Sequence, residues 1–387
     1  MADDFTKVTT NSWSSRIKGS LSGVLFGFLV LAGASFLIYW NEGRTIKTER
    51  ALEEGAAIVV SVNTAQVDPD NAGNLVHFSG DTSTTETLSD PDFAMSLNAI
   101  KLRRKVDMYQ WHERRSSRTE KLLGGSTRTV TTYSYDKRWS NSPVSSSHFE
   151  HPKDHANPGA FRFRQFEQVA RNITVGAFTI SRGLVSKLND FQPLPLDEQM
   201  RLKLSPELKN TLKLLDSSYY LGKNPGSPEI GDTKITFEAV KPGHVTVVAK
   251  QVGNTVEPYS TSGGNQLEIL MSGEHSAREV FKAKEKENLL WGWGLRAAGL
   301  FLLFVGFSLL MRPAVVLADV VPIFGSLVEI GTSFIAAVLA VVSFAIVFAV
   351  SWFRFRPTLA VLVAGGAVGV IIFLKNIRDR RNAATSG

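Results

Sequence analysis

Cysteine is absent from the sequence. That excludes disulfides, thiolate metal sites and thiol catalysis, so any large extracytoplasmic domain must be held by its own apolar core. Three catalytic signatures are missing as well: a Gly-rich phosphate loop, a G-x-S-x-G elbow and an H-E-x-x-H zinc helix. Charge is nearly absent from four stretches. Residues 19–41, 330–353 and 357–374 carry none, and 288–311 carries only Arg296. A helix rises 1.5 Å per residue, so roughly 20 apolar residues cross a ~30 Å hydrocarbon core. The mean hydropathy of −0.01 conceals these runs, because the long polar segment between the first and second dilutes them.

The chain therefore reads as an α+β membrane protein with four transmembrane helices. A large β-rich extracytoplasmic domain lies between helices 1 and 2. The first run is longer than the apolar core of a signal peptide, and no A-x-A-like site follows Tyr39 and Trp40; it is read as a retained helix. Lys7, Arg16 and Lys18 in one tail, and Lys375, Arg378, Arg380 and Arg381 in the other, place both tails in the cytoplasm, and Arg312 agrees. Arg354 and Arg356 vote the other way but are fewer. The expected organisation is a basic tail over 1–18, helix 1 over 19–40 and the extracytoplasmic domain over 41–290, in portions of about 41–150 and 158–290. Helix 2 over 291–311, an interfacial cytoplasmic segment over 312–331, helix 3 over 332–353, helix 4 over 357–374 and a basic tail over 375–387 complete it.

The net charge of +7 is concentrated in those tails, where anionic headgroups would receive it. No nucleic-acid motif accompanies it, so no nucleic-acid partner is expected. In the polar region, 56–62, 74–79 and 99–113 read as strands, with Val106 and Met108 on one face and Tyr109 and Trp111 on the other. Gly124-Gly125 marks a hairpin turn into a return strand over 127–139. Residues 184–188 and 206–216 read as helices, the second capped by Ser205 with Pro206 at its first position. Residues 234–240 and 244–251 read as a hairpin around Lys241-Pro242-Gly243, burying Ile235, Phe237 and Ala239 against Val245, Val247 and Ala249. Ser276-Ala277-Arg278-Glu279 is a capping box opening a helix that runs on into the second span.

Gly19, Gly23 and Gly27 recur every fourth residue in the first span, and Gly365 and Gly369 repeat the spacing in the fourth. Such faces let helices approach closely in lipid, either within one bundle or between copies. Glu42, Arg44 and Lys47 sit where the first span meets the domain, to fix that junction through ion pairs or headgroup contacts. Arg296, beside Trp291 and Trp293, is expected to snorkel to headgroups, with an internal ion pair as the alternative. Asp319 and Glu329 are expected to face water along an interfacial helix or shallow re-entrant turn. Arg103 and Arg104, with Tyr109 and Trp111, are candidate contacts for an acidic partner or lipid phosphate, or else solvated strand residues. His148, His151, Asp154 and His155 form a histidine cluster in a Ser/Pro loop that lacks a helix to aim the rings, and no metal or cofactor is expected there.

Several ordered motifs resemble one family. They are Asn41-Glu42-Gly43-Arg44 with Lys47-Thr48, Lys101-Leu102-Arg103-Arg104, Met108-Tyr109-Gln110-Trp111, and Tyr133-Ser134-Tyr135 with Trp139. Asn157-Pro158, Pro228-Glu229-Ile230-Gly231-Asp232, Val245-Thr246-Val247, the run from Trp293 to Gly299, and Arg356-Pro357 continue the pattern. The chain resembles the transmembrane protein forty-three (LUMA) family. The resemblance implies cytoplasmic tails, a lumenal domain, four helices and a membrane-organising role. Animal members are placed in the endoplasmic reticulum and inner nuclear membrane, where they oligomerise and hold emerin and lamins; a link to lipid metabolism is also suggested. No catalytic residue carries over, and of the histidines only His155 matches the pattern. The lack of cysteine and the short tails point to a bacterial member, which would place the chain in an inner membrane.

The functional expectation is a non-enzymatic scaffold whose partners are the bilayer, other membrane proteins and further copies of itself. A lipid-metabolism enzyme or accessory factor is the alternative, and a channel subunit the weakest reading.

Overall fold

The computed structural model describes residues 4–358 and 361. Most of the expected fourth span, with Gly365, Gly369 and the basic C-terminal tail, lies outside the described residues. Two compact units are present. One comprises Met1–Val8, Glu53–Arg118 and Val130–Lys282; the other comprises Thr9–Leu52, Thr119–Thr129 and Ala283–Gly387.

Three long helices dominate the second unit: α1 (Trp13–Ile58), α2 (Ala277–Ala318) and α3 (Pro322–Phe355). All three are long and apolar enough to cross a membrane. The capping box forms as expected: Ser276 N donates to Glu279 Oε2 at 2.8 Å, and Glu279 N donates back to Ser276 Oγ at 3.4 Å. The helix it opens is unbroken through Gly292 and Gly294, and it passes Pro313 before ending at Ala318. The expected interfacial segment 312–331 is instead the end of α2, a short turn and the first turns of α3. Pro322 suits the first turn of α3, where its missing N–H costs nothing. Residues 56–58, expected in a strand, close α1, and only Val60–Ser61 is extended. Gly55 packs closely in this last stretch of α1: a Cβ there would lie 2.5 Å from Leu267 and 2.9 Å from Phe281.

Of the strands, the six longest are β1 (Asp4–Asn11), β2 (Leu75–Ser83), β3 (Lys101–Lys121), β4 (Thr127–Ser140), β5 (Thr233–Val240) and β6 (His244–Val252). One sheet runs β1-β4-β3-β5 and continues through Ser218–Leu221 to Leu212–Leu215. The other places β6 between β2 and Ile269–Ser272. Its hydrogen bonds close a ring from β6 through Thr255–Glu257, Phe178–Thr179, Thr174–Val175 and β2 back to β6. Both expected portions contribute strands to each sheet and side chains to one core, so 41–150 and 158–290 do not stand apart.

β5 and β6 correct the expected hairpin. β5 pairs with β3, Thr233 opposite Met108 through Val240 opposite Lys101. β6 pairs with β2, His244 opposite Asp81 through Lys250 opposite Leu75. Lys241-Pro242-Gly243 thus carries the chain from one sheet to the other. Ile235, Phe237 and Ala239 still meet Val245, Val247 and Ala249 in one core, but across the sandwich. Thr246 and Val248 are buried too, so β6 is covered on both faces and sits mid-sheet. The helix expected over 206–216 ends at Thr211, and Leu212–Leu215 is a strand paired with Ser218–Leu221.

Candidate functional site

A run of polar side chains crosses the α1–α2 contact. Glu42 accepts from Arg296 Nε at 2.6 Å and Nη2 at 2.9 Å. Glu42 is 1% exposed and Arg296 14%. Arg296 therefore does not snorkel outward: a carboxylate on α1 satisfies it with two charge-assisted bonds. The Trp293 ring lies 4.8 Å from that guanidinium. Asn41 Nδ2 donates to Gly292 O at 3.1 Å, Arg44 Nη1 donates to Asn288 Oδ1 at 3.0 Å, and Asn288 Nδ2 donates to Thr45 O at 3.0 Å. Asn288, Gly292 and Arg296 recur every fourth residue, so they share one face of α2. Lys47 points away and is exposed. Between α1 and α3, Arg356 pairs with Glu49, and Arg50 Nη2 donates to Phe355 O at 2.9 Å.

The glycines of the first span divide. A Cβ on Gly27 would lie 3.1 Å from Gly306 O and 3.1 Å from Leu310, so this glycine is used in packing α1 on α2 within the chain. Gly23 faces Leu309 at ordinary contact distance, and Gly19 faces open space. The structure thus fills part of the glycine face internally and leaves its first member free.

At the opposite end of α1 the β3–β4 hairpin tip closes on the helices. Gly124 and Gly125 take φ values of +83° and +77°, the left-handed turn that the dipeptide predicted. The Trp13 indole lies over Gly125, leaving no room for a side chain, and its Nε1 donates to Val316 O at 2.9 Å. Arg16 Nη1 donates to Gly125 O at 2.6 Å, and Gly124 N donates to Val320 O at 3.1 Å. Asp319, expected in water, is fully buried between two cations: Arg16 pairs with it, and Lys121 Nζ lies 2.9 Å from Oδ1. Lys121 also reaches Glu329 at 2.8 Å, and that carboxylate is exposed as expected. Burial alone would raise the Asp319 carboxyl, but the Lys121 and Arg16 hydrogen bonds outweigh it and hold it below the ordinary carboxylate range.

The expected organisation separates the tip, in 41–290, from Asp319, in 312–331; the structure brings the two into contact. A cavity of about 710 Å³ opens beside them. Arg16, Lys121, Arg312, Asp319 and Glu329 line it, with Phe304, Val305 and Leu309 of α2 as an apolar wall. Ser308 Oγ, also on its lining, is buried and has no hydrogen-bond partner. A second cavity of about 290 Å³ shares Asn11, Arg16, Arg312 and Val316 with it.

The other predicted contacts are occupied within the β-rich unit. Arg104 is 4% exposed and holds Asp90 Oδ1 at 3.0 Å and Asp92 Oδ2 at 2.9 Å, which removes it as a surface contact. Arg103 pairs with Glu238 and lies 3.7 Å over the Phe191 ring. Tyr109 packs on Trp139, and Lys137 lies 4.5 Å over Trp111. His155 stacks on Tyr135 at 3.7 Å and His151 on Phe5 at 3.8 Å, so both rings serve as aromatic packing. Sequence reasoning missed Asn41, Asn288, Lys121, Ser308 and the Glu49–Arg356 pair. An Asn at each end of an apolar run, and the Leu122-Leu123 pair at the tip of a polar hairpin, were the available signals.

The family model described as Transmembrane protein 43 matches residues 108–357. Rat Transmembrane protein 43 is 36% identical over 386 residues, covering 96% of this chain and 95% of its own length. The chain belongs to the Transmembrane protein 43 family. Human Transmembrane protein 43 is 35% identical over 383 residues, 95% of this chain and 94% of its own. The Drosophila melanogaster homolog is 31% identical over 380 residues, 95% and 98%. No solved structure matches the chain. As a Transmembrane protein 43 family member with three membrane-competent helices, it is an integral membrane protein. Arg296, the hairpin tip and Asp319 all fall inside the matched region.

Proposed function

We propose that this chain is a non-enzymatic, multi-pass membrane scaffold that organises membrane proteins, further copies of itself among them. The buried Glu42–Arg296 pair carries the reading. With Asn41, Arg44 and Asn288 it fastens α1 to α2 in a fixed register, and Glu49–Arg356 fastens α3 to α1. A charged lattice between membrane helices costs stability compared with apolar packing, and its return is a single fixed arrangement. A fixed arrangement is what a platform for partners needs. Self-association would use α1 at Gly33 and at Gly19, which have open space beside them, Gly19 at the rim of the smaller cavity. The compartment would be a bacterial inner membrane, or the endoplasmic reticulum and inner nuclear membrane in a eukaryote.

The absence of cysteine makes the test direct. Single Gly19→Cys and Gly33→Cys variants in native membranes should give disulfide-linked dimers on mild oxidation, while Gly27→Cys, packed inside the chain, should not. Monomer at every position along α1, at expression levels that keep the fold, would sink the self-association reading. The cavity beside Asp319 favours a second reading, in which lipid is a ligand.

A further inference from the structure

We propose that the cavity between α2 and the hairpin tip binds the phosphodiester headgroup of an anionic glycerophospholipid, with Arg312 as its principal cation. The volume of about 710 Å³ lies within the range of small-molecule sites. Three cations and two carboxylates line it. Arg16 and Lys121 are both committed to Asp319, and Lys121 to Glu329 as well. Arg312 has no partner among the described residues, so one positive charge is left over. A phosphodiester supplies one negative charge and acceptor oxygens suited to a guanidinium fork.

Ser308 is the second observation. Its hydroxyl oxygen is buried, lines the cavity and lacks any partner. A buried hydroxyl without a hydrogen bond is costly, and a ligand oxygen would satisfy it. Phe304, Val305 and Leu309 continue the lining along the apolar part of α2, which suits acyl chains and not a free anion.

The surroundings place this end of the helices at headgroup level. Leu123 at the hairpin tip is 82% exposed, and Ile323 at the start of α3 is 80% exposed. Exposed apolar side chains beside Lys121 and Arg312 are the pattern of a bilayer interface. An anionic lipid is thus favoured over soluble phosphate. A zwitterionic lipid brings its own ammonium, which cancels the charge match. The proposal does not depend on self-association, because every residue in it belongs to one chain.

The test uses the full-length protein in nanodiscs of mixed phosphatidylglycerol and phosphatidylcholine, with retained lipid measured by native mass spectrometry. The wild type should retain phosphatidylglycerol over phosphatidylcholine by about tenfold, the Arg312→Gln variant should lose that preference, and millimolar inorganic phosphate should not displace the lipid. Ser308→Leu, which puts a bulkier apolar side chain into the lining and removes the orphan hydroxyl, should lose retention as well; circular dichroism checks folding of both variants. Equal retention of the two lipids by the wild type overturns the proposal, as does unchanged retention in either folded variant. Displacement by inorganic phosphate would replace the lipid with a soluble anion and overturn the lipid assignment.

Discussion

Replacing Glu42 by Gln should be among the most damaging single changes in the helical unit. The substitution keeps the shape of the side chain and one acceptor oxygen, but it leaves the Arg296 guanidinium without a counter-charge. At 14% exposure Arg296 has little water to fall back on. Breaking a buried pair from one side costs about 3–5 kcal/mol, because the surviving charge is stranded. Removing both charges with apolar side chains of similar volume is often neutral. Arg296→Met combined with Glu42→Leu should therefore recover most of the loss, giving a coupling energy of about 2–4 kcal/mol in a double-mutant cycle. The assay is equilibrium unfolding in mixed micelles, followed by far-ultraviolet circular dichroism and by fluorescence of the seven tryptophans. Additive single effects, with a coupling below about 0.5 kcal/mol, would show that the pair is not a buried unit. A Glu42→Gln protein as stable as wild type would refute the reasoning outright.

Four further outcomes follow from the same geometry. Leu123→Cys and Ser14→Cys should react with a membrane-impermeant maleimide from the same face of sealed vesicles; labelling from opposite faces would contradict the contact between the tip and the Arg16 end of α1. Gly27→Leu should lower stability by about 1–3 kcal/mol through overpacking against Gly306 and Leu310, whereas Gly19→Leu should leave the monomer's melting temperature unchanged. The Asp319 carboxyl is held down in the folded state, so its contribution is present above the unfolded value near pH ~4 and is lost as pH falls through the lower folded value. Asp319→Asn should remove that acid-side drop, seen in melting temperature against pH. Burial and the bond to Glu113 push the Tyr135 phenol up to about 12, and burial pushes Tyr219 to about 12. Their stabilising share is complete below pH ~10 and lost as pH rises towards those values, so ultraviolet titration of the native protein should show a late phenolate step that Tyr135→Phe reduces.

The membrane helices were legible because their signal is local: apolar length, a capping box, and prolines only near helix ends. The alternating burial of β5 and β6 was legible for the same reason, since period 2 marks which side chains turn inward. Their pairing was not. A Pro-Gly between two alternating runs fits a hairpin and a sheet-to-sheet crossover equally well, and the choice was made by β2 and β3, more than a hundred residues away. Arg296 was noticed but misassigned, because Glu42 lies 254 residues away in the chain and nothing local links them. The tip residue Lys121 looked like one solvated charge among many. Its role depends on the turn between α2 and α3, which is likewise set by tertiary packing. Arg104 was misjudged for a related reason: neither Asp90 nor Asp92 advertises itself as its partner until the sheet brings them together.

Gly55 and Phe281 touch, so the polypeptide departs from α1 and rejoins α2 at almost one point. More than two hundred residues are thereby inserted like a bead on a clasp. Grafting that bead into a host loop would mean replacing its Thr119–Thr129 tip, which belongs to the helical unit, and supplying the edge strand that β1 contributes from ahead of α1.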